Sequence, residues 1–147
     1  MRLRLATLDD ADFLLRLRND PDTRGQSLHS DPITATEHLA YLTSHLGAQN
    51  CRLYIAFDND SLVGTCRSET RCKETELSWT IAPEQRGQGY GGKTLTALLA
   101  VTAGPVIAVI RDGNRPSRRM VEHAGFVLGP VADGLCLYRL ERPVERR

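Results

Sequence analysis

Four glycines fall within six positions, Gly87, Gly89, Gly91 and Gly92, between an alternating strand pattern and a helical one. No other segment constrains the fold as strongly. Glycine removes the side chains that hold a ligand away from the backbone. Consecutive N–H groups at the start of a helix form an anion site. The run from Trp79 to Lys93, WTIAPEQRGQGYGGK, therefore implies a strand (Glu76 to Ile81), a turn at Pro83, and a main-chain cradle for phosphate or diphosphate.

At 147 residues the chain reads as one domain, 1–147, able to bury a core without disulfides or metal. Its net charge of +1 gives no bulk attraction to nucleic acid or to a membrane surface. No apolar run has spanning length, and the N-terminus reads as strand then helix rather than signal peptide. Cys51, Cys66, Cys72 and Cys136 are scattered, without metal-ligand spacing or matching histidines. Reduced thiols in a cytoplasmic protein, and no metal, are the expectation.

Leu3 and Leu5 alternate with arginines as a first strand. Asp9 is placed to cap a helix carrying Phe13, Leu14 and Leu17. Asn19-Asp20-Pro21-Asp22 ends it, and a polar loop follows from Thr23 to Pro32. Thr34 and Glu37 form a capping box, and Leu39, Leu42 and Leu46 mark one face of a second helix ended by Gly47. Strands follow at Leu53 to Phe57, Leu62 to Arg67 and Glu74 to Ile81. After the glycines come a helix with Leu95, Leu98 and Leu99, a buried strand Val106 to Ile110, and a short helix Asn114 to Ala124. Phe126 to Leu128 and Leu135 to Leu140 close the chain as strands. Residues 141–147 read as a fraying tail. The order β-α-α-β-β-β-α-β-α-β-β implies an α+β fold, a mixed sheet with helices packed on it.

Three glycine-loop patterns compete. The dinucleotide fingerprint fails on spacing, G-x-G-x-G-G, and on its late position. Gly87 to Thr94 satisfies the P-loop pattern G-x-x-x-x-G-K-[ST]. A P-loop follows its strand directly, however, and Pro83-Glu84-Gln85-Arg86 intervenes. The third pattern is R-x-x-G-x-G, Arg86 to Gly91, preceded by Ile81-Ala-Pro-Glu84 and followed by an amphipathic helix.

With that motif, the element order, and the ending Asn114-Arg-Pro-Ser117 through His123-Ala-Gly125-Phe126, the chain resembles the GNAT acetyltransferase superfamily over nearly its whole length. The resemblance implies a mostly antiparallel sheet of about seven strands with about four helices. It implies an N-acetyltransferase that uses acetyl-CoA and acts by direct attack of a primary amine. It places the diphosphate on the N–H groups of Gly87, Gln88, Gly89, Tyr90, Gly91 and Gly92, with Arg86 at the loop's entrance. Lys93 either adds charge there or is a solvated helix lysine. Trp79, Thr80 and Ile81 would pair with the pantetheine amides as an added strand does, and an N–H there would polarise the acyl carbonyl. Asn114 matches the position that reaches the cofactor across the cleft; Ser117 either lines it or packs.

Glu76 shares a strand face with Ser78 and Thr80. It is the candidate base that frees the amine of its proton, or else a solvent-facing strand glutamate. Many family members carry a tyrosine on the last helix to protonate the leaving thiolate, and the matching position here is Val121. Tyr138 is a weaker substitute. In the N-terminal part, Arg18-Asn19-Asp20-Pro21 with Arg24, then Glu37-His38, resembles GNAT enzymes of nucleotide-linked amino sugars. Arg18, Asn19, Arg24 and His29 are thus acceptor-side candidates for a small anionic amine; taken singly, Arg18 is also a helix-end cation and Asn19 a helix stop. The alternatives are a protein N-terminal or lysine acetyltransferase, an acyl-CoA-binding module without turnover, and a P-loop protein. A monomer or homodimer is expected.

Overall fold

A computed structural model gives the fold and describes residues 1–27 and 31–143. Period-two alternation builds seven strands: β1 (Arg2–Leu5), β2 (Cys51–Asp58), β3 (Ser61–Arg71), β4 (Glu74–Ile81), β5 (Val106–Arg111), β6 (Val127–Ala132) and β7 (Leu135–Leu140). Five α-helices connect them: α1 (Ala11–Asn19), α2 (Pro21–Gln26), α3 (Ala35–Leu46), α4 (Tyr90–Ala100) and α5 (Arg115–His123). The strands form one sheet in the order β1-β2-β3-β4-β5-β7-β6. Only β4 and β5 run parallel. That topology agrees with the expected GNAT fold, and a single parallel pair leaves the P-loop reading without its sheet.

Two cores lie on opposite faces. Leu77, Leu95, Leu98, Ala108, Val121 and Phe126 pack between the sheet and α4 and α5. Ala6, Leu14, Leu42 and Ile55 pack under α1 and α3. At Gly64 a Cβ would stand 2.1 Å from the Thr80 carbonyl oxygen, so β3 and β4 reach this approach only with glycine.

Several expectations shift. The polar loop from Thr23 begins as a fifth helix. Asp20, read as part of a helix stop, also starts α2: Pro21 sits in its first turn and the Asp20 carboxylate accepts from the Thr23 N–H at 3.1 Å. Asp9 is not the cap of α1. Asp10 precedes α1, buried, with Arg4 donating to both its oxygens at 2.7 and 2.8 Å and the Thr7 N–H at 2.9 Å. In α3 it is His38 with Leu42 that is buried; Leu39 faces solvent. β3 runs on to Arg71, and β6 passes Pro130 through a register shift between Leu128 and Val131. Arg142, assigned to the fraying tail, is anchored. Its guanidinium donates to the carbonyls of Leu99, Thr102 and Gly104 at 2.6 to 2.9 Å, satisfying carbonyl groups left open where α4 ends.

Candidate active site

The site begins with a fork. β4 and β5 pair only at Thr75–Val106 and Glu76–Ile107. Beyond Glu76, β4 stays with β3 while β5 turns away with β7. Leu77 to Ile81 thus leave an edge about 16 Å long, at about 3.3 Å per residue.

Which backbone groups line that edge follows from a turn. Cys72 and Lys73 both have positive φ, 48° and 71°. This is a two-residue hairpin of the primed type, which closes on a hydrogen-bonded pair, Arg71 and Glu74. Alternation then directs the N–H and C=O groups of Glu74, Glu76, Ser78 and Thr80 toward β3. Those of Leu77, Trp79 and Ile81 point into the fork. The Ala82 N–H bond to the Val63 carbonyl, 2.8 Å, fits the same parity at the far end. The Ile81 carbonyl accepts from Arg86 Nε at 3.1 Å, which leaves both backbone groups of Trp79 and the Ile81 N–H without a strand partner.

The glycine loop opens at the end of this edge. Gly87 and Gly89 have φ of 76° and 82°, and no heavy atom lies within 4 Å of where a Cβ would stand at Gly87, Gly89 or Gly92. Gly89 is the N-cap of α4 and supplies no side-chain cap, so first-turn N–H groups are left for a ligand. A groove of about 800 Å³ continues past Gly89, Gly92 and Lys93 to Met120 and His123 on α5, within the size range of small-molecule sites. A bare cradle, an unpaired edge and a long groove fit an extended diphosphate-bearing co-substrate.

The side chains named from sequence take varied places. Gln88 is exposed in the loop, and Lys93 lies exposed with Nζ 5.5 Å from the Tyr90 ring centroid. The Tyr90 hydroxyl donates to Asp58 on β2 at 3.0 Å. Arg86 is not free at the entrance: besides Ile81 it donates to Asp20 and Thr23 at 3.1 Å and to Asp22 at 3.4 Å. Asn114 caps α5 on the opposite lip, its Oδ1 3.4 Å from the Ser117 N–H. Ser117 is half-buried beside it.

Glu76 stands where the fork divides, next to Ile107 and opposite Glu69 on β3. Like charges directly opposite repel. Here Glu69 is compensated by Arg71 at 2.9 Å and Arg67 at 3.8 Å, and Glu74 by Arg139 at 2.8 Å. Glu76 has no hydrogen-bond or ion-pair partner among the described residues. With Glu69, Arg71, Glu74 and Ile107 it lines a cavity of about 130 Å³. Val121, at the position of the missing tyrosine, is fully buried in the core. Tyr138 is no substitute: it too is fully buried, and its hydroxyl accepts from Arg118 at 3.0 Å and donates to Glu122 at 2.8 Å.

On the acceptor side Asn19 is a structural pin. Its amide holds the Ile33 N–H and carbonyl at 2.9 and 2.8 Å, which uses the groups a substrate would need. Arg18 and Arg24 are half-buried, and His29 lies outside the described residues. Sequence reading missed Arg111. From the end of β5 its Nε and Nη2 donate to the Ser27 carbonyl at 3.0 and 2.6 Å. Arg86 holds the start of α2 to the end of β4, and Arg111 holds its end to the end of β5. α2 therefore crosses the open mouth of the fork.

Comparison with known proteins follows the same lines. A spermidine N-acetyltransferase from Vibrio cholerae, solved with CoA and spermine, superposes with a TM-score of 0.83 at 17% identity, covering 94% of this chain and 92% of that one. A ribosomal-protein-alanine N-acetyltransferase from Brucella melitensis gives 0.79 at 21% identity, covering 97% and 100%. The aminoglycoside acetyltransferase AAC(6')-Ib, solved with coenzyme A, gives 0.78 at 21%, covering 95% and 94%. At these identities the likeness is one of fold. No curated protein sequence matches the chain. The family model described as "Acetyltransferase (GNAT) domain" matches residues 1–127, and with so much of its length accounted for the chain belongs to the GNAT acetyltransferases, which draw their acetyl group from acetyl-CoA.

Proposed function

We propose that this protein transfers the acetyl group of acetyl-CoA to the primary amine of a small molecule by direct attack. The observation that carries the reading is the fork: an unpaired β4 edge bounded by Glu76 at one end and the bare glycine loop at the other. Acetyl-CoA supplies an acetyl group activated as a thioester. The N–H groups of Gly87 to Gly92 hold its diphosphate, with Lys93 adding charge at the rim. The outward groups of Trp79 and the Ile81 N–H bind the amide-bearing arm, and an N–H on this edge polarises the acyl carbonyl. Asn114 and Ser117 line the opposite lip. The Glu76 carboxylate takes the proton from the acceptor's ammonium, directly or through one water. Water protonates the thiolate product, since Val121 has no acidic group and the Tyr138 hydroxyl is committed to Arg118 and Glu122.

The N-terminal sequence pattern favours a nucleotide-linked amino sugar as acceptor. The neighbours named above carry names for spermidine, aminoglycoside and protein-alanine acetylation, all amines, so the panel must include these classes. The missing thiolate acid is the one feature favouring a binding module without turnover.

The test is thiol release from acetyl-CoA over that panel, beside calorimetric titration with acetyl-CoA and with ATP. Micromolar acetyl-CoA binding and amine-dependent thiol release support transfer. Binding with no release across the panel supports the module. Magnesium-dependent ATP binding without acetyl-CoA binding removes the reading.

A further inference from the structure

Most arginines among the described residues either have an anionic or carbonyl partner or stand in solvent. Arg2, Arg52, Arg115 and Arg119 make no side-chain bonds and are exposed. Arg18 and Arg24 differ. Both are half-buried, neither makes a hydrogen bond or ion pair among the described residues, and each encloses a donor without a partner: Nη1 of Arg18 and Nε of Arg24. A guanidinium cannot shed its proton, so such donors await an acceptor.

Their positions say which kind. Arg24 sits within α2, the helix that crosses the mouth of the fork. The two acids nearest in sequence are already engaged, Asp20 by Arg86 and Thr23, and Asp22 by Arg86. Arg18 stands in the last turn of α1, close to His38, whose pKa is lowered first by burial and then by the Arg18 charge. Deeper in the fork the charges are balanced: Arg71 answers Glu69 and Arg139 answers Glu74. Glu76 alone is left open there. The site is therefore polar in one direction, with a free carboxylate at the fork and unanswered cations toward its mouth.

We propose that the acceptor is an amine that also carries an anionic group, a phosphate ester or a carboxylate, bound by Arg24 of α2 and by Arg18 at the end of α1. Its amine reaches inward to Glu76 while the anion remains with the two arginines. The direction assigned to the amine rests on the acetyl-transfer reading; the anion site does not.

Two measurements test it. In the first, the Arg24 Nε–H resonance is followed by NMR while inorganic phosphate, then acetate, is added to the full chain without acetyl-CoA. A saturable shift with either anion, lost on Arg18→Gln or with the resonance itself assigned by Arg24→Gln, supports the site. No shift with either anion overturns it, whatever the enzyme turns over. In the second, kcat/KM is compared within matched pairs, phosphoethanolamine against ethanolamine and β-alanine against propylamine, with spermidine as the cationic control. The anionic member is expected to lead by about tenfold or more. Arg24→Gln should bring the pair together by raising KM for the anionic member alone. The pair that shows the larger gap distinguishes phosphate from carboxylate. A preference for spermidine, or equal losses on both members of a pair, overturns the proposal. An Arg24 shift with no acetylation of any amine leaves the anion site standing and removes the acetyl-transfer reading instead.

Discussion

The two halves of the cleft are built from different material. On the β4 and glycine-loop side, the open polar groups belong to the backbone: the N–H and C=O of Trp79, the Ile81 N–H, and bare amides from Gly87 to the first turn of α4. On the α1–α2–α3 side they are side chains held by other side chains. Asn19 pins Ile33, Arg86 and Arg111 fasten the two ends of α2, and Arg67 donates to the Tyr41 hydroxyl. A backbone site demands glycine and a strand parity, which few sequences satisfy. A side-chain network is met by many combinations, so it changes freely. One fold can then keep a fixed co-substrate and vary its acceptor.

The sharpest way to break this contrast is at Gly89. Gly89→Val forces a β-branched residue to φ +82° and puts a side chain into the cradle. Acetyl-CoA affinity should fall by roughly 100-fold or more, about 2.7 kcal/mol or greater, with the fold retained. Calorimetry and circular dichroism check this, and near-normal affinity would show that the loop amides are not the binding groups. Glu76→Gln comes next. It should cut kcat/KM by about 10²- to 10⁴-fold while acetyl-CoA affinity stays within about twofold; a parallel loss of affinity would make Glu76 structural.

Arg86→Ala and Arg111→Ala each release one end of α2. We expect acceptor KM to rise by about tenfold, as misplaced positioning groups do, with acetyl-CoA affinity changed much less. Amide exchange should quicken across α2. If the cofactor half weakens equally, the halves are not separable. Tyr138→Phe should leave turnover within about twofold of wild type while lowering stability by about 1 kcal/mol, the worth of a lost buried hydrogen bond. A collapse in kcat would restore Tyr138 as a proton donor.

The smallest effect concerns pH. Burial, then the nearby Arg18 charge, lowers the His38 pKa from its ordinary 6.5. The unfolded chain therefore takes up the proton first. This contribution to stability is complete above pH 6.5 and is lost as pH falls from there through the lower folded value. The drop in Tm between pH 8 and pH 5.5 should be smaller in His38→Leu than in wild type. An equal drop would mean the ring is already charged in the fold.

The contrast also explains what sequence could supply. Glu74 to Ile81 is legible because alternation and bounding turn residues agree, and the loop because only glycine permits it. The α2 helix was not legible, since Asp20-Pro21 serves a helix stop and a helix start equally well. Arg86 fits an anion-binding motif, and only tertiary structure reveals that Asp20, Asp22 and Thr23 reach it first. Arg111 meets Ser27 across 84 positions, a pairing that no local pattern encodes.

The tight turn at Cys72 and Lys73 has a consequence well away from itself. Because it closes on Arg71 and Glu74, it sets the phase of everything downstream in β4. One residue added just after it, with the two-residue turn kept and Arg71 still closing it, would slip β4 by one position against β3 and invert the strand: Glu76 would swing toward the helix core and Trp79 would surrender its free amide to β3. Enzymatic competence is thus tuned by the length of a loop that touches neither reactant.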